Sequence, residues 1–222
     1  MFDQIIIGGK ASFDDFEASV RDRVIKEPAK KEIKDTVPYS NLTYDFSAIN
    51  GEVYWEEREL EYNLEIMANS PEEMEEKKRA LKSWLMNVMQ EELHDPFIKD
   101  YHFIATFKDI SFDDSEFEKT TGTVIFTAYP YMIANAKQIY EFNIPASTEI
   151  SAEIANNSSH RITPTFTSNV PYTLTIGERS ISLSAGEIKD SSLMLATGLN
   201  EIKLQGSGQA GTLTVEFREE VF

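Results

Sequence analysis

The clearest pattern along the chain is a strict alternation of apolar and polar residues that begins at Glu57. The apolar members are Leu60, Tyr62, Leu64 and Ile66, and the polar members are Glu57, Glu59, Glu61, Asn63 and Glu65. Because successive side chains of a strand point to opposite sides, this period of two predicts a β-strand with one buried side. We expect the acidic side to be solvated. Arg58 shares the side of Leu60, where we expect it to pair with a buried or interfacial acid.

The segment 70–89 changes to a helical period. Ser70 suits the N-cap, Pro71 suits the first helical position and Glu73 completes a capping box. One apolar stripe at 3.6-residue spacing follows, and it comprises Met74, Leu81, Trp84, Leu85 and Val88. The pattern predicts an amphipathic helix that packs on a sheet and keeps its charged side in water.

Further strands are predicted on both sides of this helix, over residues 2–7, 20–27, 42–46, 101–107 and 122–128. Strands before and after a single helix favour an α+β domain over a parallel α/β domain. We therefore expect a mostly β N-terminal domain, a sheet or barrel-like, with one packed helix.

The composition changes after about residue 137, where Ser, Thr, Asn and Gly become frequent. Eight short apolar segments follow, over residues 138–144, 148–154, 161–170, 172–176, 179–183, 191–195, 200–204 and 212–218. This spacing predicts a small antiparallel β-sandwich, with turns at 198–202 and 206–211. We place the boundary within 132–138, giving domains 1–135 and 136–222.

Composition and charge narrow the possible classes of protein. The 222 residues are 41% hydrophobic and include no cysteine, which excludes disulfides, thiolate chemistry and cysteine-based zinc sites. The net charge is −17, with 28 acids against 15 bases in residues 1–135 and 10 against 6 afterwards. Such a charge disfavours binding to nucleic acid. No apolar run suits a membrane span and the first residues lack a signal-peptide pattern, so we expect a soluble protein without membrane partners.

The sequence gives little indication of catalytic residues. Glu57 and Glu59 stand two apart on one strand, at a spacing that superficially matches an inverting glycosidase. An acid/base pair, however, needs two different environments that separate the two pKa values, whereas these acids share one predicted solvated side. We therefore expect no enzyme activity.

The other chemical motifs are incomplete. His94, His102 and His160 show no metal-ligand spacing in the sequence, and we assign them no role. The stretch IIIGGK at 5–10 lacks a phosphate-loop pattern and is interpreted as a glycine turn, and no GxSxG elbow is present. We expect no catalytic, cofactor-binding or metal site, and no cofactor.

A family resemblance emerges from several segments in order. The stretch LTYDFSAINGEVYWEERELEYNLEI, residues 42–66, resembles the core of the distal tail (Dit) proteins of siphophages and related prophages. The matching positions are Tyr44, Asp45, Phe46, Ser47, Gly51, Tyr54, Arg58 and Leu60, then Trp84 and Leu85, then DPFIKDYHFIATF at 95–107, and finally Gly122, Thr123, Phe126, Pro130 and Tyr131. The second half resembles the family's small galectin-like sandwich in its architecture, without long insertions.

The resemblance implies a structural protein of the virion tail tip, assembled in the cytoplasm of the bacterial host. Six copies are expected to form a ring through domain 1–135, with the sandwiches outside. The implied partners are further copies of the chain, the tail tube protein, and a tail-associated lysin or fibre protein. The acidic side of the strand from Glu57 would suit a channel through which DNA passes without binding.

Other functions stay open at this stage. The alternative is a carbohydrate-binding tail protein that contacts the host cell wall, although residues 136–222 contain no Trp and only Tyr140 and Tyr172. A peptidoglycan hydrolase would have to use Glu57 and Glu59. A tail-tube or tail-terminator protein is the remaining structural reading.

Overall fold

The computed structural model describes residues 3–36, 38–39, 41–48, 51–113 and 118–222, and divides the chain into two compact units, Met1–Met132 and Ile133–Phe222. Segment 132–138, in which the boundary is predicted, forms the first part of a long strand. Within the described ranges, no helix combines the length and the apolarity that crossing a bilayer demands.

The described residues of the first unit form strands and one helix. They are β1 (Ile6–Ile7), β2 (Lys10–Ala11), β3 (Ala18–Ile25), β4 (Lys34–Thr36), β5 (Thr43–Asp45), β6 (Arg58–Met67), α1 (Pro71–Leu85), β7 (Glu91–His94), β8 (Tyr101–Asp113) and β9 (Lys119–Ala128). Among the described residues, seven strands of this unit form an antiparallel sheet in the order β2-β1-β7-β8-β9-β6-β3, and β4 pairs only with β5. The α+β, mostly β prediction is confirmed.

Strand pairing among the described residues leaves this sheet open, so it is not a closed barrel. Single hydrogen bonds nevertheless tie β3 back to the start of the chain, from Val20 N to the Asp3 carbonyl at 2.8 Å and from Ala18 N to the Ser12 carbonyl at 2.9 Å. Of the predicted strand 2–7, Phe2 lies outside the described residues and only Ile6–Ile7 is a strand. Ile5 instead makes two hydrogen bonds with Ser12. Ile5 N donates to the Ser12 hydroxyl, and Ser12 N donates to the Ile5 carbonyl, so these bonds take the place of strand pairing at Ile5.

The central strand β6 behaves as its pattern predicts. Leu60, Tyr62, Leu64 and Ile66 are all 0% exposed. They share one apolar cluster with the helix residues Met74, Leu81, Trp84 and Leu85, so α1 covers this side of the sheet. Val88 joins the same cluster from just beyond the end of the helix.

The helix start is confirmed with one change of detail. The Ser70 hydroxyl accepts a hydrogen bond from Glu73 N at 3.2 Å. The Glu73 carboxylate reaches back one residue further than a standard capping box, and it accepts from Asn69 N at 2.8 Å. The glycine turn is also confirmed, because Gly8 and Gly9 have φ of 61° and 71° and join the paired ends of β1 and β2.

The second unit is a two-sheet sandwich. Its strands are β10 (Met132–Ile144), β11 (Glu149–Asn156), β12 (Thr165–Ser168), β13 (Tyr172–Ile176), β14 (Arg179–Leu183), β15 (Gly186–Ile188), β16 (Gly198–Gly206) and β17 (Gly211–Val221). The sheets have the orders β15-β12-β17-β10 and β11-β16-β13-β14. Residues of both sheets, such as Phe166 and Leu204, are 0% exposed in one apolar cluster.

Two sequence predictions within the sandwich are wrong. Residues 191–195 form no strand; Leu193 and Leu195 are buried, but the chain turns at Asp190, whose carboxylate accepts from Ser192 N at 2.7 Å. Leu193 and Leu195 therefore belong to the apolar core without being part of a strand. The stretch 198–202 is the start of β16 and not a turn, whereas β15 was not predicted at all.

Candidate functional site

The acidic side of β6 is not the bare solvated surface that its sequence predicts. Glu59 is half-buried and lies between two lysines, with its carboxylate 2.7 Å from Lys108 Nζ and in direct contact with Lys26 Nζ. Hydrogen bonds from Lys108 and Lys26 lower the pKa of Glu59 to about 2. A carboxyl group with this pKa is ionised at neutral pH and cannot act there as a general acid.

Glu65 lies on the same side of β6 as Glu59, near the end of the strand, and it is buried, with 5% exposure. Its carboxylate lies 2.8 Å from Arg21 Nε and 2.5 Å from Lys119 Nζ. Burial acts to raise the pKa of Glu65, but the hydrogen bonds and charges of Lys119 and Arg21 outweigh it and the pKa is lowered. The prediction of a solvated Glu65 is therefore wrong.

Two of these cations come from β-bulges. The ladder between β3 and β6 shifts register between Val20 and Asp22, and Arg21 is the residue at the shift. The ladder between β8 and β9 shifts between Phe107 and Asp109, at Lys108. A bulge re-aims the side chain of its extra residue. Arg21 and Lys108, the two bulge residues, therefore contact the acids of β6. The sequence pattern alone does not predict these contacts.

Arg58 lies on the core side of β6, as predicted, and is 2% exposed. Its guanidinium donates from Nε to the Lys26 carbonyl at 2.9 Å and from Nη1 to the Pro130 carbonyl at 3.2 Å, and it lies 5.5 Å from the centre of the Phe103 ring. The acid that it contacts, Glu27 at 3.2 Å, is 80% exposed in the subunit, so it is not a buried acid, and a position at an interface between subunits stays a prediction. Burial lowers the pKa of Arg58, and Glu27 partly opposes this. Arg58 therefore joins the ends of β3 and β9 to β6.

A second polar cluster surrounds the Asp-Pro turn before β8. The Asp95 side chain is 0% exposed and lies 2.9 Å from Arg23 Nε, close enough for an ion pair, while it also accepts from Phe97 N at 3.0 Å. Burial raises the pKa of Asp95 and, together with the Asp95 charge, that of the Tyr62 phenol. Asp95 thus fixes this turn onto β3, which is a structural role.

An exposed arm leaves the sheet between β3 and β6, and it comprises the described residues of the range 28–57. Backbone bonds such as Lys31 N to the Tyr54 carbonyl, at 2.8 Å, extend the β3–β6 pairing into it, and the β4–β5 hairpin follows. Among its described residues, only Pro28 and Ser47 are buried. In the described part of the arm, seven large apolar side chains are at least 40% exposed, namely Ile33, Tyr39, Leu42, Tyr44, Phe46, Val53 and Tyr54.

The YDFS residues explain how this arm holds its shape. The Asp45 carboxylate accepts from Ser47 N at 2.9 Å, and the Ser47 hydroxyl accepts from Ile33 N at 2.8 Å. The hydrogen bonds to Ser47 lower the pKa of Asp45. Tyr44 and Phe46 stack on each other with ring centres 6.2 Å apart, although both are exposed. The polar half of the motif therefore braces the hairpin, and the aromatic half faces outward.

The histidines are arranged differently from the prediction. The fold brings His94 and His102 together, with ring centres 5.0 Å apart, and Glu92 lies beside both. His160 is in the other compact unit, 3.2 Å from Glu220. The sequence spacing concealed the pair because neighbouring strands, and not one motif, supply its members.

The two tyrosines of the sandwich are both engaged internally. Tyr172 is 1% exposed. Tyr140 stacks on Phe142 and Phe217, with ring centres 6.3 and 6.2 Å away, and its hydroxyl donates to the Ala155 carbonyl at 3.1 Å. Neither residue offers the exposed aromatic ring on which a sugar would stack.

Comparison with solved structures identifies the fold. No protein-family model and no curated protein sequence matches the chain. The crystal structure of the Dit protein of phage SPP1, described as a paradigm of the hub adsorption apparatus in phages that infect Gram-positive bacteria, is similar with a TM-score of 0.70 and 11% identity. The match covers 98% of this chain and 99% of the SPP1 chain. Two structures of the phage p2 baseplate in its activated conformation are also similar. The structure with Sr has a TM-score of 0.42 and 8% identity, over 98% of this chain and 98% of the baseplate chain. The structure with Ca has a TM-score of 0.37 and 9% identity, over 97% of this chain and 98% of the baseplate chain. The chain therefore has the fold of the SPP1 Dit protein over nearly its whole length.

Proposed function

We propose that this chain is a distal tail protein that forms a hexameric ring at the tip of a phage tail. In this role the ring joins the tail tube to the tail-associated lysin or fibre apparatus, within the virion tail. The observation that carries the proposal is the end-to-end fold similarity to the SPP1 Dit protein, a hub protein, which spans both compact units. The independent sequence resemblance over residues 42–131 supports the same assignment.

The arm over residues 28–57 supports self-association. A soluble monomer rarely exposes a large continuous apolar surface, and such surfaces commonly mark contacts with other proteins. Heterologous contacts between identical subunits close into a ring when the rotation between them divides a circle. The exposed aromatics Tyr44 and Phe46 sit on a braced hairpin, so they can meet a neighbouring subunit at little cost in chain entropy.

The acids of β6 support a structural role over a catalytic one. Glycosidases pair a carboxylate with an acid whose pKa is raised. Glu59 cannot be the acid of such a pair at neutral pH, because Lys108 and Lys26 lower its pKa to about 2. The proposed function is accordingly without catalysis. A Glu59→Gln variant should assemble normally, and the unmodified protein should release no fragments from purified cell walls.

The decisive experiment is light scattering behind a sizing column over a range of protein concentrations, with negative-stain images of the largest species. A six-fold ring with a central hole is the expected result. A species that stays monomeric at high concentration, and that also fails to form rings when mixed with the adjacent tail tube and tail-tip proteins, would refute the ring. Binding to a glycan array by the same monomer would instead favour the cell-wall-binding alternative.

A further inference from the structure

The sheet register places three metal-ligating side chains on one surface. Strands β7 and β8 pair with Leu93 opposite Phe103. The next residues along the two strands, His94 and His102, therefore stand side by side, and Glu92 lies on the same side as His94 because it is two residues earlier. Two of the three histidines in the whole chain are thus neighbours.

The donor atoms of these side chains converge. His94 Nε2 lies 3.2 Å from one Glu92 carboxylate oxygen, and His102 Nε2 lies 3.7 Å from the other. All three donor atoms are within 4.8 Å of one another. Ligands of a tetrahedral zinc ion, at bond lengths of about 2.0–2.2 Å, stand roughly 3.3–3.6 Å apart. Small movements of Glu92 and His94 would therefore suffice to close the cluster around an ion.

The burial of the three residues suits this movement. The His102 side chain is 3% exposed and is held within the sheet, whereas the side chains of His94 and Glu92 are 38% and 57% exposed. One fixed ligand and two adjustable ones leave the site accessible from solvent. Two imidazoles with one carboxylate favour zinc or a similar transition metal, because calcium and magnesium prefer oxygen ligands alone.

We propose that Glu92, His94 and His102 form a zinc-class metal site that clamps β7 to β8. Three protein ligands leave the fourth tetrahedral position for water or a donor from another molecule. The site is independent of the proposed hub role, since it depends only on the register of two adjacent strands. It also revises the expectation, drawn from sequence spacing, that the histidines take no part in metal binding.

The test uses full-length protein without a histidine tag, treated with a chelator and titrated with Zn²⁺ by calorimetry. Visible absorption of the Co²⁺ complex reports the coordination geometry separately. Glu92→Gln and His94→Ala are the test variants, because both residues are on the surface. His160→Ala is the matched control. His160 also lies beside a glutamate, but within the described part of the chain it does not belong to a cluster of three possible metal ligands.

One Zn²⁺ per chain is expected for the unmodified protein and for His160→Ala, with a rise in melting temperature on binding. Each test variant should bind at least about tenfold more weakly, because loss of even an outer-shell partner of a metal ligand costs that much. Absence of saturable binding by the unmodified protein would overturn the proposal. So would His94→Ala or Glu92→Gln binding with unchanged affinity, or His160→Ala losing affinity equally, each checked for folding by circular dichroism.

Discussion

Arg58 is buried to 1% side-chain exposure, yet the carboxylate 3.2 Å from its Nη2 belongs to Glu27, which is 80% exposed. The charge pair therefore spans the boundary between core and solvent. Arg58 also donates hydrogen bonds to the carbonyls of Lys26 and Pro130. These bonds connect the ends of neighbouring strands. Their contribution to the free energy of unfolding can be measured separately from that of the ion pair.

We expect Arg58→Met to destabilise the protein by about 2–4 kcal/mol, because two carbonyl groups lose their charged donor in a buried place. Glu27→Gln should cost less than about 1 kcal/mol, as exposed ion pairs do. Urea unfolding of both variants measures the difference. Equal losses would mean that the ion pair, and not the carbonyl bonds, supplies the stability.

The exposed pair Tyr44 and Phe46 should matter for assembly and not for folding. In the double variant Tyr44→Ser, Phe46→Ser, the braces through Asp45 and Ser47 are unchanged, so the hairpin should keep its shape. We expect the melting temperature of the monomer to change little and the ring population in light scattering to fall sharply. The control Met86→Ser, Met89→Ser removes two exposed apolar side chains elsewhere and should assemble normally.

If the control pair abolished assembly as completely as the arm variant, general surface apolarity and not the arm would drive self-association. A collapse in melting temperature of the arm variant would show instead that Tyr44 and Phe46 stabilise the subunit itself.

Glu73 should give the helix a pH-dependent stability. Hydrogen bonds from Lys77 and then from Asn69 N lower the pKa of Glu73 from 4.5 to about 2. A lowered pKa in the folded state stabilises the protein above the unfolded-state pKa, and this contribution disappears as the pH falls through the folded-state value. The melting temperature of Glu73→Gln should therefore lie below that of the unmodified protein at neutral pH and approach it near pH 2.

Ser70→Ala is the matched control for Glu73. It removes the N-cap hydroxyl, at a cost of about 1 kcal/mol, but no group that titrates in acid. Its deficit in melting temperature should stay nearly constant over the same pH range. A constant deficit for Glu73→Gln as well would exclude the ionised carboxylate as the source of its effect.

Asn156 should be among the most sensitive positions of the sandwich. It is 0% exposed, and its amide donates to the carbonyls of His160 and Leu195, both at 3.1 Å, while its oxygen accepts from Ser158 N at 3.0 Å. Asn156→Ala removes all three of these hydrogen bonds, although the Leu195 carbonyl still accepts from Ile162 N at 3.0 Å, so we expect a loss of about 2–4 kcal/mol in urea unfolding. The control Asn143→Ala, which changes an exposed asparagine of β10 in the same sandwich, should lose less than about 1 kcal/mol. Similar losses for the two would contradict the role of the buried amide.

Much of the fold follows from local sequence. The alternation from Leu60 to Ile66 fixed which side of β6 is buried, because side chains of a strand alternate by geometry. The cap at Ser70 and the stripe ending at Leu85 set the helix, because capping and helical period act within a few residues. These features need no knowledge of distant parts of the chain.

Only the tertiary structure decided what each polar residue meets. Bulge residues Arg21 and Lys108 approach Glu65 and Glu59 from other strands, so these two acids form ion pairs on the side of β6 that the pattern predicts to be solvated. Likewise, the register of β7 and β8 joined His94 to His102. Such pairings depend on long-range contacts, since a one-residue change of register moves a side chain to the opposite side of the sheet. The sequence by itself determined β6, α1 and their buried sides, because these depend on neighbouring residues, and the packing of strands distant in sequence determined the sites.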